Sequence, residues 1–198
     1  MPSMKILLIA GGWSSEREVS LTGARGMQEA LLKRGHAVTF FDLLENFDEL
    51  LETARQHDFA LINLHGSPGE DGLVQAMLEK ADCPYQGSGP SGSFLALNKA
   101  AAKQIFRMAG LPTADWEFLP VRPAEGWDPR LPWPLFVKST TGGSSLRLGR
   151  AANRQELDAI MDEIFAAGEG VLIEPQLPGK EITCGILGEE AMPPILIE

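Results

Sequence analysis

The chain has 198 residues, 44% of them hydrophobic, with 27 acidic and 17 basic side chains and a formal net charge of −10. The apolar fraction is that of an ordinary globular protein, while the negative charge argues against nucleic acid or an anionic membrane as partner, since either needs a positive field. The first apolar run, Ile6-Leu7-Leu8-Ile9-Ala10, is too short for a signal peptide, and no run approaches the roughly 20 residues of a membrane span. A cytoplasmic protein is expected, with Cys83 and Cys184 as two unpaired buried thiols, although a single disulfide is conceivable.

Strand-like and helix-like segments alternate through the first half. Lys5–Ala10 reads as a buried strand and Val19–Arg34 as a helix ended by Gly35, with Ser14 or Ser15 as its cap and Glu18 completing a capping box. Ala37–Phe41 is a second strand, Phe47–Gln56 a second helix, Phe59–Leu64 a third strand and Leu73–Lys80 a short helix. Crossovers of this length imply a parallel sheet of right-handed βαβ units. Gly87–Gly92 is rich in turn formers and reads as a seam. Beyond it, Phe94–Ala109 is one amphipathic helix ending at Gly110, and Arg122–Trp133 is a proline-rich loop. Pro134–Lys138 is a strand, Thr140–Arg147 a glycine- and hydroxyl-rich loop, Glu156–Ala167 a helix and Gly170–Glu174 a strand. Glu181–Leu187 and Pro194–Glu198 are two more strands.

Several of these elements end in chemistry. Gly11-Gly12-Trp13-Ser14-Ser15-Glu16-Arg17-Glu18 follows the first strand, where doubly wound sheets bind ligands. It lacks the spacings of nucleotide loops; its two carboxylates and one guanidinium suit a zwitterion with an ammonium and a carboxylate. His65 ends the third strand, and both strand ends could border one crevice, or His65 could be a structural hydrogen-bonder. Glu70 and Asp71 suit a metal less than capping of the helix at Leu73. Lys138, closing a strand beside Thr140–Ser145, is a natural phosphate contact, or a surface lysine on a hairpin turn. Glu174 and Glu181 could read an adenine amino group and a ribose diol, or be solvated strand ends. Lys99, in an apolar helix start, otherwise reads as a wet-face lysine.

The order of these signals is specific. Gly-Gly-x-Ser-x-Glu-Arg-Glu-Val-Ser-Leu at 11–21, Leu-His-Gly-x-x-Gly-Glu-Asp-Gly at 64–72 and Pro-Tyr-x-Gly-Ser-Gly at 84–89 precede Lys99, Val-Lys at 137–138, Gly-Ser-Ser at 143–145, Ile-Glu at 173–174 and Gly-x-Glu at 179–181. Together they resemble the D-alanine–D-alanine ligases of the ATP-grasp superfamily along the whole chain. The resemblance implies ATP-dependent joining of two D-alanines for peptidoglycan through an acylphosphate. It places Glu16 at the ammonium of the first D-alanine, His65 near its carboxylate, and Ser144 and Ser145 in the loop over the reacting centre, with Glu16 and Ser144 in the catalytic network. Lys99 and Lys138 would contact ATP phosphates, Glu174 and Leu177 the adenine, and Glu181 the ribose.

The implied fold is α/β: a Rossmann-like parallel-sheet domain at 1–95, an α+β ATP-grasp domain at 96–180, and at 181–198 the start of an incomplete C-terminal domain. Family members are commonly homodimers through the N-terminal domain. Three local departures stand out: Asn98 before Lys99 where the family has Asp, Ser139 after Lys138 where it has Pro, and Arg147 where a glycine is common. The family's last third, with its ligands for Mg²⁺ (or Mn²⁺), is not in the sequence, so the chain is expected to be a fragment, inactive alone. The alternatives are a D-alanine–D-lactate or D-alanine–D-serine ligase, a non-catalytic amino-acid or nucleotide-binding module, and a purely structural domain.

Overall fold

A strand that is apolar at every position has both faces buried, and the first strand lies at the centre of a sheet. In the computed structural model, which describes residues 2–143 and 147–197, β1 (Lys5–Ala10) pairs in parallel with β2 (Ala37–Asp42) on one side and β3 (Phe59–Ile62) on the other. α1 (Arg17–Lys33) buries Ala24 against Leu8 and Ala10 on one face. Leu7 and Ile9 look the other way, into a core with Leu43, Leu50, Val74 and Leu78.

α1 starts two residues before the expected Val19, and neither serine caps it. Ser14 Oγ instead accepts from Glu16 N at 3.2 Å, and the helix has no side-chain cap. Gly35 ends it in the left-handed region, at φ +84°, as its position predicts. From Leu43 on, the chain makes three pieces where one helix over Phe47–Gln56 is expected: α2 (Leu43–Asn46), ahead of that range, a 3₁₀ turn at Phe47–Glu49, and α3 (Leu50–Ala54). Asp42 caps the first through Leu44 N at 3.1 Å, and Asn46 turns back to donate to Asp42 O, which breaks the run. Asp71 supports the start of α4 (Leu73–Lys80), accepting from Leu73 N at 3.0 Å.

The seam expected at 87–92 runs into α5 (Pro90–Leu97), and the helix expected over Phe94–Ala109 divides at Asn98 into α5 and α6 (Lys99–Met108). The division is local chemistry. Asn98 sits in the extended region and its side chain accepts from Ala101 N at 3.1 Å, which begins a new helix. Asn98→Ala is expected to lower stability by about 1 kcal/mol, read in urea unfolding of the full chain.

The second sheet is antiparallel, in the order β4 (Glu117–Leu119), β7 (Val171–Pro175), β5 (Leu135–Ser139), β6 (Leu148–Ala151). α7 (Arg154–Ala166) covers one face, packing Leu157, Met161 and Ile164 on Leu135, Val137, Val171 and Ile173. Asn153 caps α7 through Glu156 N, and Glu156 returns to Ala152 N, so α7 begins before the expected Glu156. Alternation puts Phe136, Lys138, Leu172 and Glu174 on the opposite face.

Beyond β7 the chain forms two short ladders, β8 (Ile182–Thr183) with β11 (Ile195–Leu196) and β9 (Ile186–Leu187) with β10 (Glu190–Ala191), where two longer strands were expected. Residues 176–197 are exposed. Both cysteines are free as expected, but only Cys83 is buried; Cys184 is exposed on this segment. Among the described residues no helix is long and apolar enough to cross a membrane.

Candidate functional site

The turns that leave β1 and β3 meet. A methyl group built on Gly66 would lie 3.5 Å from Ser14 Cβ. Together with α5 and the loop after β5 they enclose a cleft of about 530 Å³, lined by Ser14, Ser15 and Glu16, by Gly66, Ser67 and Asp71, by Phe94 and Asn98, and by Thr141, Gly142 and Gly143.

The β1 turn is held from below. Ser20 Oγ accepts from Gly11 N at 2.8 Å and donates to the Asn63 carbonyl, while Asn63 Nδ2 donates to Ser20 O at 2.7 Å. These bonds tie the ends of β1 and β3 to the first turn of α1. Arg17 adds a two-pronged pair with Asp42, Nη1 to Oδ1 and Nη2 to Oδ2 at 2.7 Å each, which binds α1 to the end of β2. Asp42 is held below the usual carboxylate range chiefly by that bond. Gly11 makes room for it: at φ +78°, a Cβ there would fall 2.4 Å from Arg17 Nη1. The guanidinium expected to help hold a zwitterion is therefore spent on structure, and Glu16 is the residue of this motif whose charge borders the cleft. Glu16 Oε2 lies close to the opposing loop, 3.8 Å from where a Cβ on Gly143 would stand. His65 is half-buried one residue before the lining Gly66.

Two ammonium groups stand beyond the loop that forms the opposite wall. Lys99 opens α6, where its amide donates to Thr140 O at 2.9 Å and its Nζ to Gly142 O, so it fastens the loop after β5. It borders a second space of about 480 Å³ with Glu70 and Gln75. Burial first, then the like charge of Lys138, lowers its pKa. Ser139 Oγ shapes the same loop by accepting from Gly142 N at 2.8 Å.

Lys138 is not a solvated surface lysine. Phe136 pairs with Glu174 and Lys138 with Leu172, so Lys138 and Glu174 are diagonal neighbours on one face, within reach of a long side chain. Lys138 Nζ pairs with Glu174 Oε2, and Lys103 Nζ lies 2.5 Å from Oε1. Nor is Glu174 a solvated strand end. Burial alone would raise its pKa, but the bonds and charges of Lys103 and Lys138 outweigh that and hold it low.

Leu177 and Glu181 are exposed, on the segment after β7. Ser144 and Ser145 lie outside the described residues. Arg147, where the resemblance expects glycine, adopts φ +52° and pairs with Glu169 across the cleft rim at 2.8 Å. Among the described residues no group of three or more His, Cys, Asp or Glu side chains could hold a metal ion.

Glu16 thus borders the cleft on one side, the glycine loop after β5 on the other, and Lys99 and Lys138 stand beyond that loop, bonded to Gly142 O and to Glu174. The Arg17–Asp42 clamp and Lys103 escape sequence reading because each partner lies far along the chain. The one available signal for Lys103 is its spacing of one helical turn from Lys99.

The family model described as "D-ala D-ala ligase C-terminus" matches residues 105–197. A D-alanine–D-alanine ligase of Desulfovibrio desulfuricans is 76% identical over 98% of this chain, and one of Nitratidesulfovibrio vulgaris 61% identical over 98%. The chain spans 64% of the length of each. Among solved structures, the Bacillus anthracis D-alanine–D-alanine ligase complexed with ATP superimposes with a TM-score of 0.89 at 35% identity, over 99% of this chain and 66% of that one. The Coxiella burnetii ligase gives 0.82 at 26% identity, over 98% and 71%. In sequence and in fold, over nearly every residue, the chain is thus similar to about two thirds of a D-alanine–D-alanine ligase.

Proposed function

We propose that the whole protein joins two D-alanines at the expense of ATP, in the cytoplasm, for peptidoglycan. The γ-phosphoryl group passes to a carboxylate oxygen of the first D-alanine, giving an acylphosphate and ADP. The amine of the second attacks the acyl carbon, the C–O bond to phosphate breaks, and phosphate and a proton leave. The observation that carries this reading is the pairing of opposite walls in one cleft, Glu16 facing the loop that Lys99 fastens.

Glu16 would take the ammonium of the first D-alanine, and His65, Ser144 and Ser145 would lie by its carboxylate and the reacting centre. Lys99 and Lys138 would meet the phosphates, whose charge shifts during transfer. Glu174 would accept from the adenine amino group, Leu177 would lie beside the base, and Glu181 would bind the ribose. A glycine-rich loop closing over the cleft would keep water from the acylphosphate. The ligands for Mg²⁺ or Mn²⁺ would come from elsewhere in the whole protein, since the described residues offer no cluster for it. The same reading divides the chain near residues 95 and 180, although α5 runs across the first boundary, and allows a homodimer through the first unit.

Glu16→Gln keeps the shape and removes the charge. D-alanine-dependent phosphate release by the intact gene product is expected to fall about thirtyfold, as expected for a lost charged hydrogen bond, through a raised KM for D-alanine with ATP affinity unchanged. An unaltered D-alanine dependence would remove Glu16 from the site.

A further inference from the structure

Lys103 belongs to none of the motifs above, yet it is buried, with 7% of its surface exposed. Three contacts hold it. Its Nζ lies 2.5 Å from Glu174 Oε1, donates to Thr113 Oγ1 at 2.7 Å, and stands 5.1 Å from the centre of the Trp116 ring. Arg107, one turn on, covers the same ring at 4.6 Å. Lys138 reaches the other carboxylate oxygen from β5 with a side chain 24% exposed, against 9% for Lys103. One carboxylate thus has two unequal cations, one caged and one at the edge of the site.

The inequality matters if Glu174 must accept a hydrogen bond from a base while Lys138 serves a phosphate. Were Lys138 its sole partner, its departure would strand a buried carboxylate, which would then protonate. A protonated acid offers an O–H where the amino group needs an acceptor. Lys99 adds a push: it and Lys138 repel each other, and a polyphosphate arriving between them relieves that repulsion.

We propose that Lys103 is the fixed counter-ion of Glu174, keeping the carboxylate in place as the base acceptor, while Lys138 exchanges from Glu174 to the nucleotide's phosphates on binding. This rests on the nucleotide reading above. Lys103 is a positioning residue, since it acts on the base only through Glu174.

The test separates base from phosphate. ATP, adenosine and inorganic tripolyphosphate are titrated by NMR into the full chain and into Lys103→Met, Lys138→Met and Lys103→Arg. Lys103→Met is expected to lose about tenfold in affinity for adenosine and ATP and to keep tripolyphosphate within about threefold, whereas Lys138→Met does the reverse between adenosine and tripolyphosphate. Lys103→Arg, which keeps the charge and the donors, restores adenosine binding. Should Lys103→Met not fold, Thr113→Val loosens the cage without removing the charge and is expected to weaken adenosine alone. The proposal is overturned if adenosine binds the folded Lys103→Met, or Thr113→Val in its place, as tightly as the unaltered chain. Equal losses of both probes in the two methionine variants overturn it too, because a general field would then suffice. Failure of the unaltered chain to bind ATP overturns the nucleotide reading itself, and the exchange with it.

Discussion

Glu174→Ala is expected to destabilise the chain by about 3 kcal/mol, the low end for removing one partner of a buried ion pair. The cost is not the loss of attraction alone. Lys103 and Lys138 would be left facing each other on a sheet face that also buries Leu172, and two unpaired ammoniums there must either draw in water or lose protons. Urea unfolding at neutral pH reads the effect; a loss under 1 kcal/mol would mean that the lysines reach water without Glu174.

The pH dependence has a definite sign. Glu174 titrates lower in the folded chain than its ordinary value of 4.5, because its two lysines outweigh the burial that would raise it. Its contribution is complete above that ordinary value and is lost as pH falls through the lower, folded one. Stability should therefore drop in acid below about pH 4.5, and the part of the drop due to Glu174 should vanish in Glu174→Ala.

Lys99→Met is expected to separate stability from function. Its ammonium is disfavoured in the fold, first by burial and then by Lys138, with Glu169 and Glu174 compensating in part. A base whose pKa is lowered by folding weakens the fold at neutral pH, and that penalty disappears as pH rises toward 10.5. Methionine keeps the unbranched stem and removes the charge, so the variant should unfold no earlier than the unaltered chain despite losing the bond to Gly142. Phosphate release by the intact gene product should nonetheless fall about a hundredfold or more, the usual scale for deleting a group aimed at developing charge. A variant that is both less stable and equally active would reverse the account of Lys99, making it a loop fastener only.

Much of the frame is legible from local pattern. The apolar run at 6–10, stopped by two glycines, marks the central strand and its turn, because only a doubly covered strand is apolar at every position. What is missed depends on tertiary partners. β4 and β6 are short and half-exposed, so Glu117–Leu119 and Leu148–Ala151 carry no strand pattern and exist as strands because β7 and β5 offer them edges. The helix expected at 94–109 looks continuous because its apolar spacing persists across Asn98, whose side chain nevertheless prefers the backbone of the next turn.

The site follows the same division. Glu16, Lys99 and Lys138 are singled out as candidates by motif order, but the commitment of Arg17 to Asp42 and of Glu174 to two lysines is not legible there. Those pairs join residues 25 or more positions apart; the register of β5 against β7 brings Lys138 to Glu174, and Lys103 reaches it from α6.

By the proposed function, Glu16 and the lysines beyond the loop after β5 serve one reaction. Its most direct measurement is release of phosphate from ATP by the intact gene product with D-alanine absent and then present, with the amino-acid product identified by mass. Release that depends on D-alanine and matches D-alanyl-D-alanine one for one is the result expected. ATP bound without D-alanine-dependent release, or release with no dipeptide formed, would contradict it.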